Sequence, residues 1–170
     1  MLTEIAVKTN AFKEPTSNLN FWLGSLFESF WLMSSPKGKG ARGERLAADI
    51  MESLGHDVLR NKKGKPVRFG GSEHDIVVNE QRTEVKMSLT WGDAENQWTW
   101  QQIRDQDYDR IVFIGINPNN VKMWWATKED LLKHVIGNKS LQQHGGKNAV
   151  GNTYWIRNKI PSWFREIDTW

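Results

Sequence analysis

Glu84 and Lys86 stand two residues apart in a run that reads Glu73-His74-Asp75-Ile76-Val77-Val78-Asn79-Glu80-Gln81-Arg82-Thr83-Glu84-Val85-Lys86. In an extended strand they share a face, while Val85 points into the opposite layer. The apolar stretches on either side of the polar centre predict a hairpin of two strands, His74–Asn79 and Arg82–Leu89. With Glu80 and Gln81 as a two-residue loop, Val77 would face Glu84 and Asp75 would face Lys86. Asp75, Glu84 and Lys86 then share one face, with Asp75 diagonal to Glu84. A three-residue loop would turn Glu84 and Lys86 to the other face, so the chemistry depends on register.

Two carboxylates converging on a sheet face repel unless a cation lies between them. Hard oxygen ligands with room for water and a phosphate suit Mg2+, with Mn2+ expected to substitute. Such an ion binds a scissile phosphate, lowers the pKa of a bound water and neutralises growing charge. Lys86 beside it would orient the water or stabilise the transition state. The competing reading is an exposed hairpin carrying a Glu84–Lys86 ion pair. Glu44 is a third candidate. It lies on a predicted helix, about Ala41 to Leu54, at the edge of the stripe Leu46, Ala47, Ile50, Met51 and Leu54. The competing reading for Glu44 is an acid in the first turn, favoured by the helix dipole.

This pattern, a helix with Glu44, then Asp75, eight residues, and Glu84-Val85-Lys86, resembles the active site of PD-(D/E)XK nucleases. The superfamily includes restriction endonucleases, Holliday junction resolvases and repair nucleases. The resemblance implies that Asp75 and Glu84 bind the divalent metal, that Lys86 is the catalytic lysine, and that Glu44 adds a ligand or fixes a water. His74 stands where the motif's name puts proline. Gly40 to Ser88 is also similar to archaeal Holliday junction resolvases in its Gly43-Glu44 helix, Leu54-Gly55 stop and Asp75-Ile76-Val77 strand. The implied fold is α/β, a restriction-endonuclease-like central mixed β-sheet flanked by helices. The resemblance spans Gly40 to Ile116.

The elements that must position these residues follow from pattern. Before the Glu44 helix, Leu19, Trp22, Leu23, Leu26, Phe27, Phe30 and Trp31 recur at helical spacing. They predict an apolar helix that packs as an arm or meets a second copy. Residues 1–36 are thus read as an N-terminal arm or dimerisation segment and 37–170 as the nuclease domain, with Lys37-Gly38-Lys39-Gly40 as a flexible connector. Asp57–Arg60 is a short strand candidate, and Asn61–Gly71 a basic loop. Gln97–Arg104 fits helix or strand and is read as helix. Arg110–Ile116 and Val121–Ala126 are strands, and Lys128–Ile136 is a helix capped by Thr127 and stopped by Gly137. Gln142–Asn152 is a loop, Tyr154–Arg157 a strand, and a helical turn follows Pro161.

Composition narrows the partners. The 170 residues suffice for one core, and the absence of cysteine removes disulfides and thiolate zinc sites. His56, His74, His134 and His144 are too scattered for a zinc cluster. The longest apolar stretch, Phe21 to Met33, is interrupted by Gly24, Ser25, Glu28 and Ser29, so no membrane span or signal peptide is expected, and a cytoplasmic protein is. Lys37 to Arg68 holds nine basic residues against four acidic ones, a local excess that suits a polyanion. DNA is the expected partner. Phosphates would meet Lys62, Lys63, Lys65 and Arg68, and base edges would meet Gln101, Gln102 and Arg104. No organic cofactor is expected. The leading function is a Mg2+-dependent endonuclease on duplex DNA, of restriction type, with a homodimer cutting both strands. The alternatives are a Holliday junction resolvase or other structure-specific nuclease, and a non-catalytic DNA-binding module. Ten tryptophans are spread along the chain, most expected in the core or an interface and a minority free to stack on bases.

Overall fold

The computed structural model describes residues 20–67, 74–143, 152–157 and 159–170. It is an α/β sandwich around a mixed sheet. The strands are β1 (Ile76–Val78), β2 (Gln81–Leu89), β3 (Thr99–Ile103), β4 (Arg110–Ile116), β5 (Val121–Thr127), β6 (Tyr154–Arg157) and β7 (Arg165–Glu166). Five of them form one sheet in the order β1-β2-β4-β5-β7, and β3 pairs with β6 separately. Among the described residues only β2 and β4 run parallel; β1–β2, β4–β5 and β5–β7 are antiparallel. The helices are α1 (Glu28–Trp31), α2 (Pro36–Ser53) and α3 (Lys128–His134).

The central strand β4 is buried along nearly its whole length, and its alternating side chains divide the core in two. Val112, Ile114 and Ile116 meet Ala47, Ala48 and Met51 of α2, together with Ile76, Val78 and Val85. On the other face Ile111 and Phe113 meet Trp98, Trp100, Trp124, Leu131 and Ile156. Gly115 leaves the space that the Trp98 indole fills, since a Cβ there would collide with the ring. Trp98 and Trp100 donate their indole N–H groups to the carbonyls of Ile116 and Ile114, at 3.3 and 2.9 Å, so neither polar handle is buried unpaired.

Four expectations are corrected. The apolar segment near the start is not one helix. Residues 20–22 are helical, the chain turns with Gly24 at φ 72°, and α1 resumes at Glu28. Trp22 and Phe30 enter the α2 core, and Phe27 N–H donates to Pro118 O at 2.9 Å. Second, Lys37-Gly38-Lys39-Gly40 is the start of α2 rather than a connector. Ser35 caps the helix by accepting from Gly38 N–H, and Pro36 fills N1, where a missing N–H costs nothing. Third, Asp57–Arg60 forms isolated bridges, Val58 to Val78 and Arg60 to Pro66, and no full strand. Fourth, Gln97–Arg104 holds the strand β3 and no helix. The segment's buried residues 98, 100 and 103 mix spacings of two and three because a register shift lies between Trp100 and Ile103, which disguises a strand as a helix.

Candidate active site

The hairpin closes on Asn79 and Glu80, both left-handed with φ of 47° and 63°. Two consecutive left-handed residues make the turn whose twist matches an antiparallel pair, and asparagine tolerates that conformation better than Gln81 would. Asn79 is further fixed by Asp57, which accepts its N–H and donates to its Oδ1, both at 2.8 Å. The register is therefore Val78 to Gln81, Val77 to Arg82 and Ile76 to Thr83, two residues from the expected pairing. A shift of two preserves parity, so Asp75 stays on the face that Glu84 and Lys86 share. Asp75 now falls beside Glu84 instead of across from Lys86.

At Asp75 the chain bends off the sheet. Its N–H donates to Thr83 O at 3.1 Å, and its Oδ2 accepts the N–H of Val85 at 2.9 Å. Along β2, β1 pairs only with Gln81 to Thr83 among the described residues, so the Asp75 carboxylate occupies the edge of β2 that β1 leaves open. Glu84 is 5% exposed. Lys86 Nζ reaches Glu84 Oε1 at 2.5 Å, while Glu84 Oε2 is buried without a hydrogen-bond partner. Burial pushes the Glu84 carboxyl up to about 7, opposed by Lys86 and reinforced by Asp75. An orphaned carboxylate oxygen facing a second carboxylate is a donor set that accepts a hard cation.

The pair and Lys86 line a cavity of about 650 Å³. Glu44 lines the same cavity from α2. It is the ninth residue of that helix, whose first turn holds no acid, so the dipole does not account for it. Among the described residues no group of three Asp, Glu or His side chains converges closely enough to hold a metal alone. Gln101 and Gln102 also line it. They occupy the irregularity in β3, with Gln102 at φ 55°. Gln143 braces both: its Oε1 accepts Gln102 N–H at 2.7 Å and its Nε2 donates to Gln101 Oε1 at 2.9 Å.

The remaining candidates lie elsewhere. Lys62, Lys63 and Lys65 are exposed on a turn closed by Asn61, whose Oδ1 accepts the N–H groups of Lys63 and Lys65. That turn is tied to the end of α2 by Arg60, paired with Asp49 and Glu52, and its lysines are not part of the cavity wall. Arg104 is exposed and off the wall, its carbonyl accepting from Tyr108 Oη. Arg68 falls outside the described residues. In their place the wall carries Lys37, Lys39 and Trp91. The two lysines belong to the basic excess already visible in sequence, but only their place in α2 brings them to the site.

No protein-family model matches the sequence, and no curated protein is significantly similar to it. Among solved structures, a bacterial homing endonuclease, I-Ssp6803I, is similar at a TM-score of 0.41 and 12% identity, covering 81% of this chain and 86% of that one. Among the described residues no helix is long and apolar enough to cross a membrane.

Proposed function

We propose that the chain is a Mg2+-dependent endonuclease that hydrolyses phosphodiester bonds of DNA. The observation that carries this reading is the placement of Asp75 beside Glu84, whose buried Oε2 lacks a partner, with Lys86 joined to the same carboxylate inside one cavity. Asp75 and Glu84 would hold the metal directly. Glu44, which lines the same cavity from α2, would hold it through water, since Mg2+ usually keeps much of its hydration and takes one or two carboxylates. When bound, the ion supplies a Lewis acid for the phosphate and an acidified water.

The chain's own residues do the rest. Glu84 Oε1 fixes the Lys86 ammonium within the cavity, where it neutralises charge developing on the phosphate oxygens. Lys37 and Lys39, at the start of α2, hold neighbouring phosphates without regard to sequence. The Lys62, Lys63 and Lys65 turn extends that contact past the end of α2. Gln101 and Gln102 present amide donors and acceptors of the kind that pair with adenine edges. Sequence-specific cutting of duplex DNA by a homodimer is the form of the activity proposed here, and a structure-specific resolvase is its alternative.

Linear duplex, supercoiled plasmid and a four-way junction, each incubated with Mg2+ or with chelator, test the reading. Cleavage that requires the metal supports it, and the preferred substrate separates restriction-type from resolvase activity. Binding without cleavage on all three would leave a DNA-binding module.

A further inference from the structure

Nine of the ten tryptophans are accounted for by packing. Trp22, Trp98, Trp100, Trp124 and Trp125 are buried, and Trp31 packs against the α2 core. Trp170 lies against Trp125, with Arg110 over both rings at 4.6 Å. Trp163 stacks on His134, and Trp155 lies 3.0 Å from the Arg157 guanidinium. Trp91 is the exception. It is 56% exposed, and among the described residues no ring or cation packs on it, yet it lines the same cavity as Asp75, Glu84 and Lys86.

Its loop is held in place. Trp91 N–H donates to Gln97 O at 2.8 Å, Thr90 Oγ1 donates to Ala94 O at 2.8 Å and accepts from Gln97 N–H at 3.1 Å, and Asn96 N–H donates to Asn117 Oδ1 at 2.9 Å. The loop displays the ring from a fixed base. Its neighbours in sequence, Gly92, Asp93, Glu95 and Asn96, are small or polar, which does not suit the contiguous apolar patch of a protein interface. Trp22 and Trp31 line the same cavity but are packed into or against the α2 core, so Trp91 is the ring among them that presents an open face. Such a face in a cavity that also carries Lys37, Lys39 and Lys86 suits a flat ring attached to a phosphate, because a base stacks while its phosphate meets the cations.

We propose that Trp91 is the stacking platform for a nucleobase next to the cleaved phosphate. This rests on the nuclease reading of the carboxylate pair. Bases inside an intact duplex already stack on their neighbours, so the platform requires that the DNA be unstacked beside the cut. A nick, an end, a junction arm or a flexible pyrimidine–purine step yields a base more readily than a stiff duplex.

The cut position on a duplex is first mapped with the wild-type enzyme and Mg2+, and 5-iododeoxyuridine is then placed at each flanking position. Irradiation in chelator should crosslink Trp91 to one of those bases. Trp91→Ala should weaken binding of that duplex about 10- to 100-fold, the range expected for one lost stack. Trp91→Phe should recover most of the binding, since a benzene ring still stacks. The loss should fall mainly in KM, with kcat closer to wild type. Metal-dependent cleavage with no crosslink to Trp91, and with Trp91→Ala binding as wild type, would overturn the platform and leave the nuclease intact. A protein that neither binds nor cuts DNA would overturn both.

Discussion

Gly43 sits against Met87 so closely that a Cβ on the glycine would lie 2.9 Å from the sulfur and 3.1 Å from the methionine Cβ. This contact sets how near α2 comes to β2, and Glu44 is the next residue. Gly43→Ala should push the helix outward at a cost of about 1–3 kcal/mol, the usual penalty for overpacking. Metal-dependent activity should fall by more than stability explains, because Glu44 moves with the helix. Adding Met87→Ala should recover part of both. Thermal melts and cleavage rates of the two variants check this, and a Gly43→Ala protein with wild-type activity would detach Glu44 from the site.

Glu84 is buried and its carboxyl is raised from 4.5 to about 7. The folded protein therefore binds that proton more tightly than the unfolded chain does. Stability gained from this group is present below about pH 4.5 and lost as the pH rises towards 7. In metal-free buffer Glu84→Gln should thus be more stable than wild type at pH 8, by roughly 2–3 kcal/mol and several degrees in Tm, with little difference near pH 4.5. Mg2+ should stabilise the wild type and leave Glu84→Gln unchanged. Equal melts of the two proteins at pH 8 would remove the burial cost from the account.

Gln102 holds a left-handed conformation that glycine adopts freely. Gln102→Gly should therefore leave Tm unchanged or higher, in spite of the lost side chain, while relaxing sequence preference. Gln143→Glu keeps the acceptor for Gln102 N–H and loses the donor to Gln101, so its effect on preference should be smaller than that of Gln143→Ala. Cleavage of a randomised duplex library, sequenced after partial digestion, reads the preference. A drop of several degrees in Tm for Gln102→Gly would mean that its side chain stabilises the fold.

Lys37 and Lys39 belong to the cavity wall, whereas Lys62, Lys63 and Lys65 lie on a turn beyond the end of α2. Replacing Lys37 and Lys39 by alanine should weaken binding to all sequences alike and flatten the salt dependence by about 0.9 per phosphate contact removed. The triple substitution of the turn should flatten the slope as well, but affect cleavage of short duplexes less, since such duplexes do not reach it. Binding curves at two salt concentrations on short and long duplexes distinguish the two groups.

The hairpin and its charged face were legible in the sequence because strand parity survives a register error of two. Glu84 and Lys86 share a face in any register, and Asp75 falls on that face for the pairing expected and for the pairing observed. What parity does not encode is the bend at Asp75, which brings its carboxylate to Val85 N–H and the edge of β2. The lysines at the start of α2 are hidden in the sequence because Gly38 and Gly40 read as a connector, whereas the cap from Ser35 with Pro36 at N1 outweighs them. β3 reads as a helix because an irregular strand mimics helical spacing. Gln143 has no local signal, as its partners are about 40 residues away in the chain. Trp91 was equally hidden, since only the burial of the other tryptophans singles it out.

Asp75, Glu84 and Lys86 are proposed to act together with a divalent cation in cleaving DNA. The most direct measurement is the rate at which Asp75→Asn, Glu84→Gln and Lys86→Ala cut supercoiled plasmid in Mg2+, beside wild type with and without chelator. Each substitution should lower the rate by at least about 100-fold, as expected when a group stabilising the transition state is removed. Chelator should abolish wild-type cleavage, and all three variants should keep the wild-type circular dichroism spectrum. A folded variant lacking either carboxylate that cuts at the wild-type rate, or wild-type cleavage that persists in chelator, would contradict the account.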